Sequence, residues 1–152
     1  SFSSYLKLGR LGVPEEDIST ILMADHGLKL YGNAVIVNTD YAKNNSDMVK
    51  KFLVAIGAGW RDAIKDPKAA AAALVKRNPA ADAALEQRRL QLAIDANVLT
   101  DYVKANGMGG IDSSRFAAAI QQLSETYEYK AAPNAALYFT DEYLPASGIS
   151  LN

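Results

Sequence analysis

The apolar pattern divides this chain into a short strand-like beginning and a long helical remainder. Two early runs rich in β-branched residues, Ile18–Ala24 and Ala34–Val37, have the length and composition of strands. From Ser46 onward, apolar residues recur mostly at the three- and four-residue spacing of a helix. Two strands are too few for a sheet of ordinary size, and several helices need a surface to cover. This imbalance predicts an α/β protein whose other strands lie elsewhere, with this chain as its helix-rich part.

Capping residues place the predicted helices. A short helix carries Tyr5, Leu6, Leu8 and Leu11, with Ser3 or Ser4 as its N-cap and Gly12 at its end. Four longer helices follow. The first begins at Asn45 or Ser46 and has Trp60 in its buried stripe. The others begin after Asp66, near Ala80 and after Asp112, and the third of the four runs to Ala105. The tail, residues 131–152, is predicted to wrap around the body as an extended segment.

The composition excludes several classes of function. The net charge is −1 without a Lys/Arg block, so no nucleic-acid surface is expected. There is no cysteine and His26 is the only histidine, which leaves no spacing typical of a metal site. No nucleophile elbow or phosphate-binding glycine loop occurs, and the Gly107–Gly110 run is interpreted as a flexible connection. We therefore expect a protein that is not an enzyme and that has no metal and no cofactor.

The most informative stretch is Asp25–Asn38, DHGLKLYGNAVIVN, which joins the two predicted strands. Asp25 and His26 follow a strand end, where ligands of open α/β sheets bind, although a hydrogen-bonded turn explains them equally well. Tyr31 offers a ring and a hydroxyl to a small solute, or it is a half-buried hinge aromatic. Asn33 can donate and accept hydrogen bonds, either to a ligand or at the strand end. These four residues are the first candidate ligand contacts.

A second candidate lies at the start of the chain. Ser3 and Ser4 would present hydroxyl and backbone N–H groups to an anion at a helix N-terminus. A plain N-cap is the alternative explanation of the same residues.

Four segments in order resemble the nitrate/sulfonate/taurine and thiamine-pyrimidine-precursor group of periplasmic binding proteins. They cover nearly the whole chain: FSSYLKLGRLGVPEEDISTILMADHGLKLYGNAVIVN, TDYAKNNSDMVKKFLVAIGAGWRDAIKDP, IDSSRFAAAIQQLSETY and LYFTDEYLP. The resemblance implies the C-terminal half of a two-lobed, type II periplasmic-binding-protein clamshell. Residues 1–26 would end the second lobe, residues 27–33 would form the crossover or hinge, and residues 34–152 would complete the first lobe with its closing helices and tail.

The resemblance also implies a function. The chain would belong to the substrate-binding component of an ABC importer, capturing a sulfonate, nitrate, taurine or a pyrimidine-like solute for its permease. The protein would be periplasmic, or exported and tethered to the membrane. Its partners would be the solute, the permease and the N-terminal half of the same protein, and the isolated chain would aggregate or form a dimer that covers its exposed sheet edges.

Two other interpretations stay open. An enzyme of the thiamine-pyrimidine synthase type shares the fold, and its cysteine-rich motif would have to lie outside this chain. A free-standing helical interaction domain would instead be a stable monomer with a cooperative thermal transition.

Overall fold

Seven α-helices follow one another in the computed structural model, which describes residues 2–131 and 133–151. They are α1 (Phe2–Arg10), α2 (Thr39–Asn44), α3 (Ser46–Lys65), α4 (Pro67–Arg77), α5 (Ala83–Ala93), α6 (Asp101–Asn106) and α7 (Ser113–Tyr127). Single 3₁₀ turns occur at Glu15–Asp17, Met23–His26 and Ala135–Leu137, and a π-helical turn at Ile94–Val98 continues α5. The predicted helix-rich character is confirmed. Within the described residues no helix is long and apolar enough to cross a membrane.

Side-chain caps explain where most of these helices begin. The side chain before the helix accepts a hydrogen bond from the third N–H beyond it, which satisfies a donor that has no partner inside the helix. This bond is made by Asn38, Asp66, Asp82, Thr100 and Asp112. The caps predicted at Asp66 and Asp112 are therefore confirmed.

The two predicted strands are not formed. The Ile18–Ala24 run belongs to no regular element as far as Leu22 and then enters the Met23–His26 turn, and Ala34–Val37 also lies outside any regular element. A strand needs a neighbour for its N–H and C=O groups, and the described residues provide none for either run. The only ladder contact in residues 2–131 and 133–151 is an isolated antiparallel bridge between Met108 and Ile149. The α/β class is consequently not confirmed by this structure.

Two helix boundaries also differ from the sequence prediction. The helix predicted over Ala80–Ala105 is divided, because the chain turns out of helical geometry at Leu99 and the Thr100 side chain then caps α6. A threonine hydroxyl competes with helical hydrogen bonding in this way. Neither Ser3 nor Ser4 is an N-cap, because α1 already begins at Phe2 and both lie in its first turn.

The core is small for a chain of this size. Helix α5 packs against α1 and α4, and α3 packs against α4 and α2. Eight apolar residues are buried among those described, and three of them are alanines: Leu6, Ala42, Val49, Ala71, Ile94, Ala119, Ile149 and Leu151. Trp60, predicted to be core, is only half-buried. The accessible surface is 11284 Å² for 16.3 kDa, whereas a folded monomer of this mass exposes roughly 7,500 Å². Much apolar surface therefore remains in contact with solvent.

Residues 149 and 150, near the end of the chain, are held against the helices by hydrogen bonds and by a buried side chain. Ile149 is 5% exposed and exchanges two backbone hydrogen bonds with Met108, of 2.8 and 2.9 Å. The Nη1 of Arg61 on α3 donates to the carbonyl oxygen of Ser150 at 2.8 Å. Gly57 on α3 is buried because the Ile149 side chain occupies the space of its missing Cβ. The predicted wrapping of the tail on the body is confirmed for this segment.

The Gly107–Gly110 loop receives this tail. Gly107 and Gly148 both have positive φ, 75° and 68°, and their backbones lie against each other. A Cβ on Gly107 would lie 2.6 Å from the carbonyl oxygen of Ser147. The loop predicted to be a flexible connection is thus a docking surface in which glycine is required at both contact points.

Two glycines of α3 provide a matched test of tail docking. Gly59→Ala places a methyl group where no atom lies within 4 Å, and should stabilise the protein by about 0.5–1 kcal/mol through helix propensity. Gly57→Ala must displace Ile149, and should cost about 1–3 kcal/mol despite the same propensity gain. Urea denaturation of both variants measures the difference. Equal effects of the two substitutions would show that the tail does not rest on α3.

Candidate functional site

The crossing segment, residues 27–33, lies against helix α7. The Gln122 side chain makes two of the bonds: its Nε2 donates to the carbonyl oxygen of Gly27 at 2.7 Å, and its Oε1 accepts from the Lys29 N–H at 3.0 Å. One amide side chain thus supplies both a donor and an acceptor to the backbone of the crossing segment. This pairing fixes the position of the first part of the crossing segment.

Arg115 extends the same attachment along the segment. Its Nε donates to the Lys29 carbonyl oxygen at 3.1 Å, and its Nη2 donates to the Leu30 carbonyl oxygen at 3.0 Å. The guanidinium carbon also lies 4.7 Å from the centroid of the Tyr31 ring, within cation–π distance. The guanidinium therefore holds three consecutive residues, and its fixed fork of donors suits two successive carbonyl groups.

Tyr31 makes the last of these contacts along the crossing segment, with the residue that caps α7. Its hydroxyl accepts a hydrogen bond from the Asp112 N–H at 2.8 Å and lies 3.4 Å from the Asp112 carbonyl oxygen, to which it donates. Its ring makes an edge contact with Phe116, at a centroid distance of 6.2 Å, and Phe116 in turn contacts Phe139 of the tail. The hydroxyl and the ring are thus both engaged within the protein.

Two pKa values reflect the surroundings of this attachment. The Ser114 hydroxyl and then the Arg115 N–H donate to the Asp112 carboxylate, and these bonds lower the pKa of Asp112 below its usual 3.8. Burial raises the pKa of Tyr102, and the proximity of Tyr31 and Asp112 adds to this rise. The carboxylate that caps α7 is therefore held in its charged form.

A cavity of about 310 Å³ opens between the crossing segment and the first turns of α7. Its lining residues are Ala24, Leu28, Lys29, Ser114, Arg115 and Ala118. Two cationic side chains and a hydroxyl stand beside apolar carbons, at the positive end of a 15-residue helix. This combination suits a small solute that bears negative charge or several hydrogen-bond acceptors.

The structure places the sequence-predicted residues in three different settings. Asp25 and His26 are exposed in the 3₁₀ turn that also contains Ala24 of the cavity wall. Asn33 is exposed at the end of the crossing segment, beyond the last attachment to α7. Ser3 and Ser4 lie on α1, which packs on α5 rather than on α7. The predicted pair at the chain start is therefore not part of this cavity.

Sequence reasoning missed Arg115, Gln122 and Lys29. One signal was available, because an arginine in the first turn of a helix faces the positive end of the helix dipole and is disfavoured there. Such an arginine needs another reason for its position, and the carbonyl groups of the crossing segment supply it. Gln122 and Lys29 carry no comparable signal, because both are ordinary residues for an exposed surface.

Comparison with known proteins gives one match. Residues 6–70 match the family model described as NMT1/THI5 like. This stretch is less than half of the chain and includes Asp25, His26, Tyr31 and Asn33 but not Ser3 or Ser4. The match supports the family of nitrate, sulfonate and thiamine-precursor binding proteins, whose members have a periplasmic-binding-protein type of fold. It therefore supports a solute-binding or related function. Comparisons with curated proteins and with solved structures give no match.

The hydrogen bonds of Gln122 can be tested by amide exchange. Gln122→Ala removes the acceptor of the Lys29 N–H and should accelerate exchange of that amide about five- to tenfold, as expected for losing one hydrogen bond worth about 1 kcal/mol. Gln121→Ala is the matched control, because the side chain of Gln121 bonds to Glu125 along α7 and, in the described part of the chain, to nothing in the crossing segment. NMR hydrogen exchange measures both, and an equal response of Lys29 to the two variants would contradict the attachment.

The cap of α7 should loosen in acid. Because the folded pKa of Asp112 is lowered, its stabilising effect is fully present above about pH 4 and is lost as pH falls through that lowered value. Asn caps helices about as well as Asp but does not titrate, so Asp112→Asn should remove this pH dependence while keeping the cap. The chemical shift of the Arg115 amide, followed from pH 6 to pH 2, reports the change. The same acid transition in both proteins would refute this assignment.

Proposed function

We propose that this chain forms part of the solute-binding component of an ABC importer, which captures a small solute and delivers it to a permease. The solute class is sulfonate, nitrate, taurine or a pyrimidine-like nutrient, the protein works in the periplasm or as an exported, membrane-tethered receptor, and it is not an enzyme. Supporting this proposal is the family match over residues 6–70, which contains the whole crossing segment. Supporting it further is the cavity beside that segment.

The mechanism follows from how the crossing segment is held. A solute receptor works by closing two lobes around its ligand, and ligand contacts stabilise the closed arrangement. Residues 27–31 are tied to α7 by Gln122, Arg115 and Tyr31. Because this attachment is made by side chains to backbone groups, it can position the hinge on one body while the remainder of the segment, including Asn33, turns. In this proposal closure brings Asp25 and His26 toward the solute.

The exposed surface is consistent with further parts of the same fold. Apolar side chains of the two extended runs are largely in solvent, among them Ile21 at 67% and Ile36 at 92% exposure. We propose that strands of a two-lobed clamshell cover these runs, with a second copy of the chain as the alternative cover when the chain is isolated. Either partner would satisfy the backbone groups that lack a neighbouring strand in the described residues.

A second candidate function is an enzyme of the thiamine-pyrimidine synthase type. The family match over residues 6–70 is equally compatible with such an enzyme and with a solute receptor, so it favours neither. Such an enzyme would bind iron in the full-length protein, whereas a receptor would bind and release an unchanged solute. Iron content after purification, together with mass analysis of any released ligand, distinguishes the two.

A thermal-shift screen on the full-length protein tests the receptor proposal. Taurine, an alkanesulfonate, nitrate and an aminopyrimidine are the probes, and a ligand at about 100 times its Kd should stabilise the native state by about 2.7 kcal/mol. Lys29→Gln removes a cavity-lining charge but keeps the backbone bonds of Lys29 to α7, so it should weaken binding of an anionic probe without unfolding the protein.

The control is Lys43→Gln, which removes an exposed lysine from α2. It should leave the shifts unchanged. A screen in which none of the four probes stabilises the protein would overturn the receptor proposal.

A further inference from the structure

A second cavity, of about 250 Å³, lies between α1, the Glu15–Asp17 turn and α5. Its lining residues are Tyr5, Leu6, Gly9, Arg10, Glu15, Ile18, Leu85 and Arg88. This cavity shares no lining residue with the cavity beside α7. This volume is slightly below the range of about 300–1,000 Å³ that holds drug-sized ligands, so it suits a single ring with one small substituent.

The floor of this cavity is apolar. Leu6 is 4% exposed and is one of the best-buried side chains in the described chain. Ile18 and Leu85 are half-buried beside it. A ligand body placed here gains by removing hydrocarbon from water, at roughly 25 cal/mol per Å². The floor therefore selects an apolar or aromatic body over a sugar or a simple ion.

The rim of the cavity carries unequal charges. Arg88 pairs with Glu15 and also stands 5.9 Å above the centroid of the Tyr5 ring. This pairing, with a hydrogen bond from the Tyr5 hydroxyl, lowers the pKa of Glu15, so its carboxylate is already satisfied by the protein. Arg10, in contrast, has no carboxylate partner within the described part of the chain. The rim consequently offers one uncommitted guanidinium and no uncommitted anion.

We propose that this cavity binds a small aromatic carboxylate, with its ring on Leu6, Ile18 and Leu85 and its carboxylate paired with Arg10. A guanidinium matches a carboxylate with two parallel hydrogen bonds. The flat Tyr5 ring and the planar Arg88 group beside the floor favour a flat ligand over a branched one. The ligand would touch both α1 and α5, because lining residues come from both helices. This site is separate from the cavity beside α7 and does not depend on the proposed importer function.

Benzoate is the probe, with benzamide as its uncharged counterpart and acetate as the anion without a ring. Calorimetric titration of the full-length protein should show benzoate bound at least about tenfold more tightly than either, since each comparison removes one of the two interactions. NMR shifts caused by benzoate should concentrate on α1 and α5. Binding of benzamide equal to that of benzoate, or no binding of benzoate, would refute the proposal.

Three variants locate the site. Gly9→Leu should abolish benzoate binding by filling the cavity, because a Cβ at Gly9 meets open space. Replacing a helical glycine also favours α1, and an unchanged urea denaturation midpoint of this variant separates cavity filling from unfolding. Arg10→Gln should weaken benzoate about tenfold and remove its advantage over benzamide. Lys7→Gln is the matched control, because Lys7 and Arg10 are both basic residues of the last turn of α1, but Lys7 does not line the cavity.

Lys29→Gln separates this site from the one beside α7. Benzoate affinity should be unchanged in Lys29→Gln, whatever effect this variant has on the binding of taurine, the alkanesulfonate, nitrate or the aminopyrimidine. If Lys29→Gln abolishes benzoate binding while Gly9→Leu preserves it, benzoate occupies the α7 cavity and the proposal is wrong. An equal loss in Lys7→Gln and Arg10→Gln would likewise contradict the pairing with Arg10, because it would reduce the effect to general charge.

Discussion

The backbone of the extended segments is the main constraint on this structure. A buried or packed backbone must find partners for its N–H and C=O groups, and without a neighbouring strand these must come from side chains or water. Gln122 and Arg115 of α7 provide four such bonds to residues 27–30. The helix therefore does for the crossing segment what the edge of a sheet does for a strand. This explains why the segment is ordered against α7 although it belongs to no regular element.

The helices could be predicted because their signals are local. Asp66 before Pro67 and Asp112 before its helix are caps that depend only on neighbouring residues, and both form as expected. The strands could not be confirmed, because β-propensity describes a fit to neighbouring strands rather than an intrinsic backbone preference. The break at Leu99 also escaped prediction, since apolar residues continue on both sides of it and only the capping by Thr100 marks the boundary.

The candidate site was predicted only in part for a related reason. The crossing segment was recognisable from its polar, glycine-containing sequence between two apolar runs. Its partner surface on α7 lies more than 80 residues away in the chain, as for Tyr31 with Asp112, and no local pattern joins the two. Sequence reasoning could therefore propose Tyr31 but not the residues that hold it. Long-range hydrogen bonds of this kind follow from the fold and not from spacing.

The polar side chains in and beside the crossing segment differ in whether the protein already supplies their hydrogen-bond partners. The Tyr31 hydroxyl both accepts from and donates to Asp112, and its ring lies under Arg115 and against Phe116. A ligand that replaced those contacts would have to compensate for a lost hydrogen bond and a lost cation–π contact before it gained any affinity. The exposed side chains of Asp25, His26 and Asn33 carry no such cost. The Tyr31 side chain thus holds the crossing segment against α7, while Asp25, His26 and Asn33 stay exposed. The ligand contacts predicted at these four residues stay predictions.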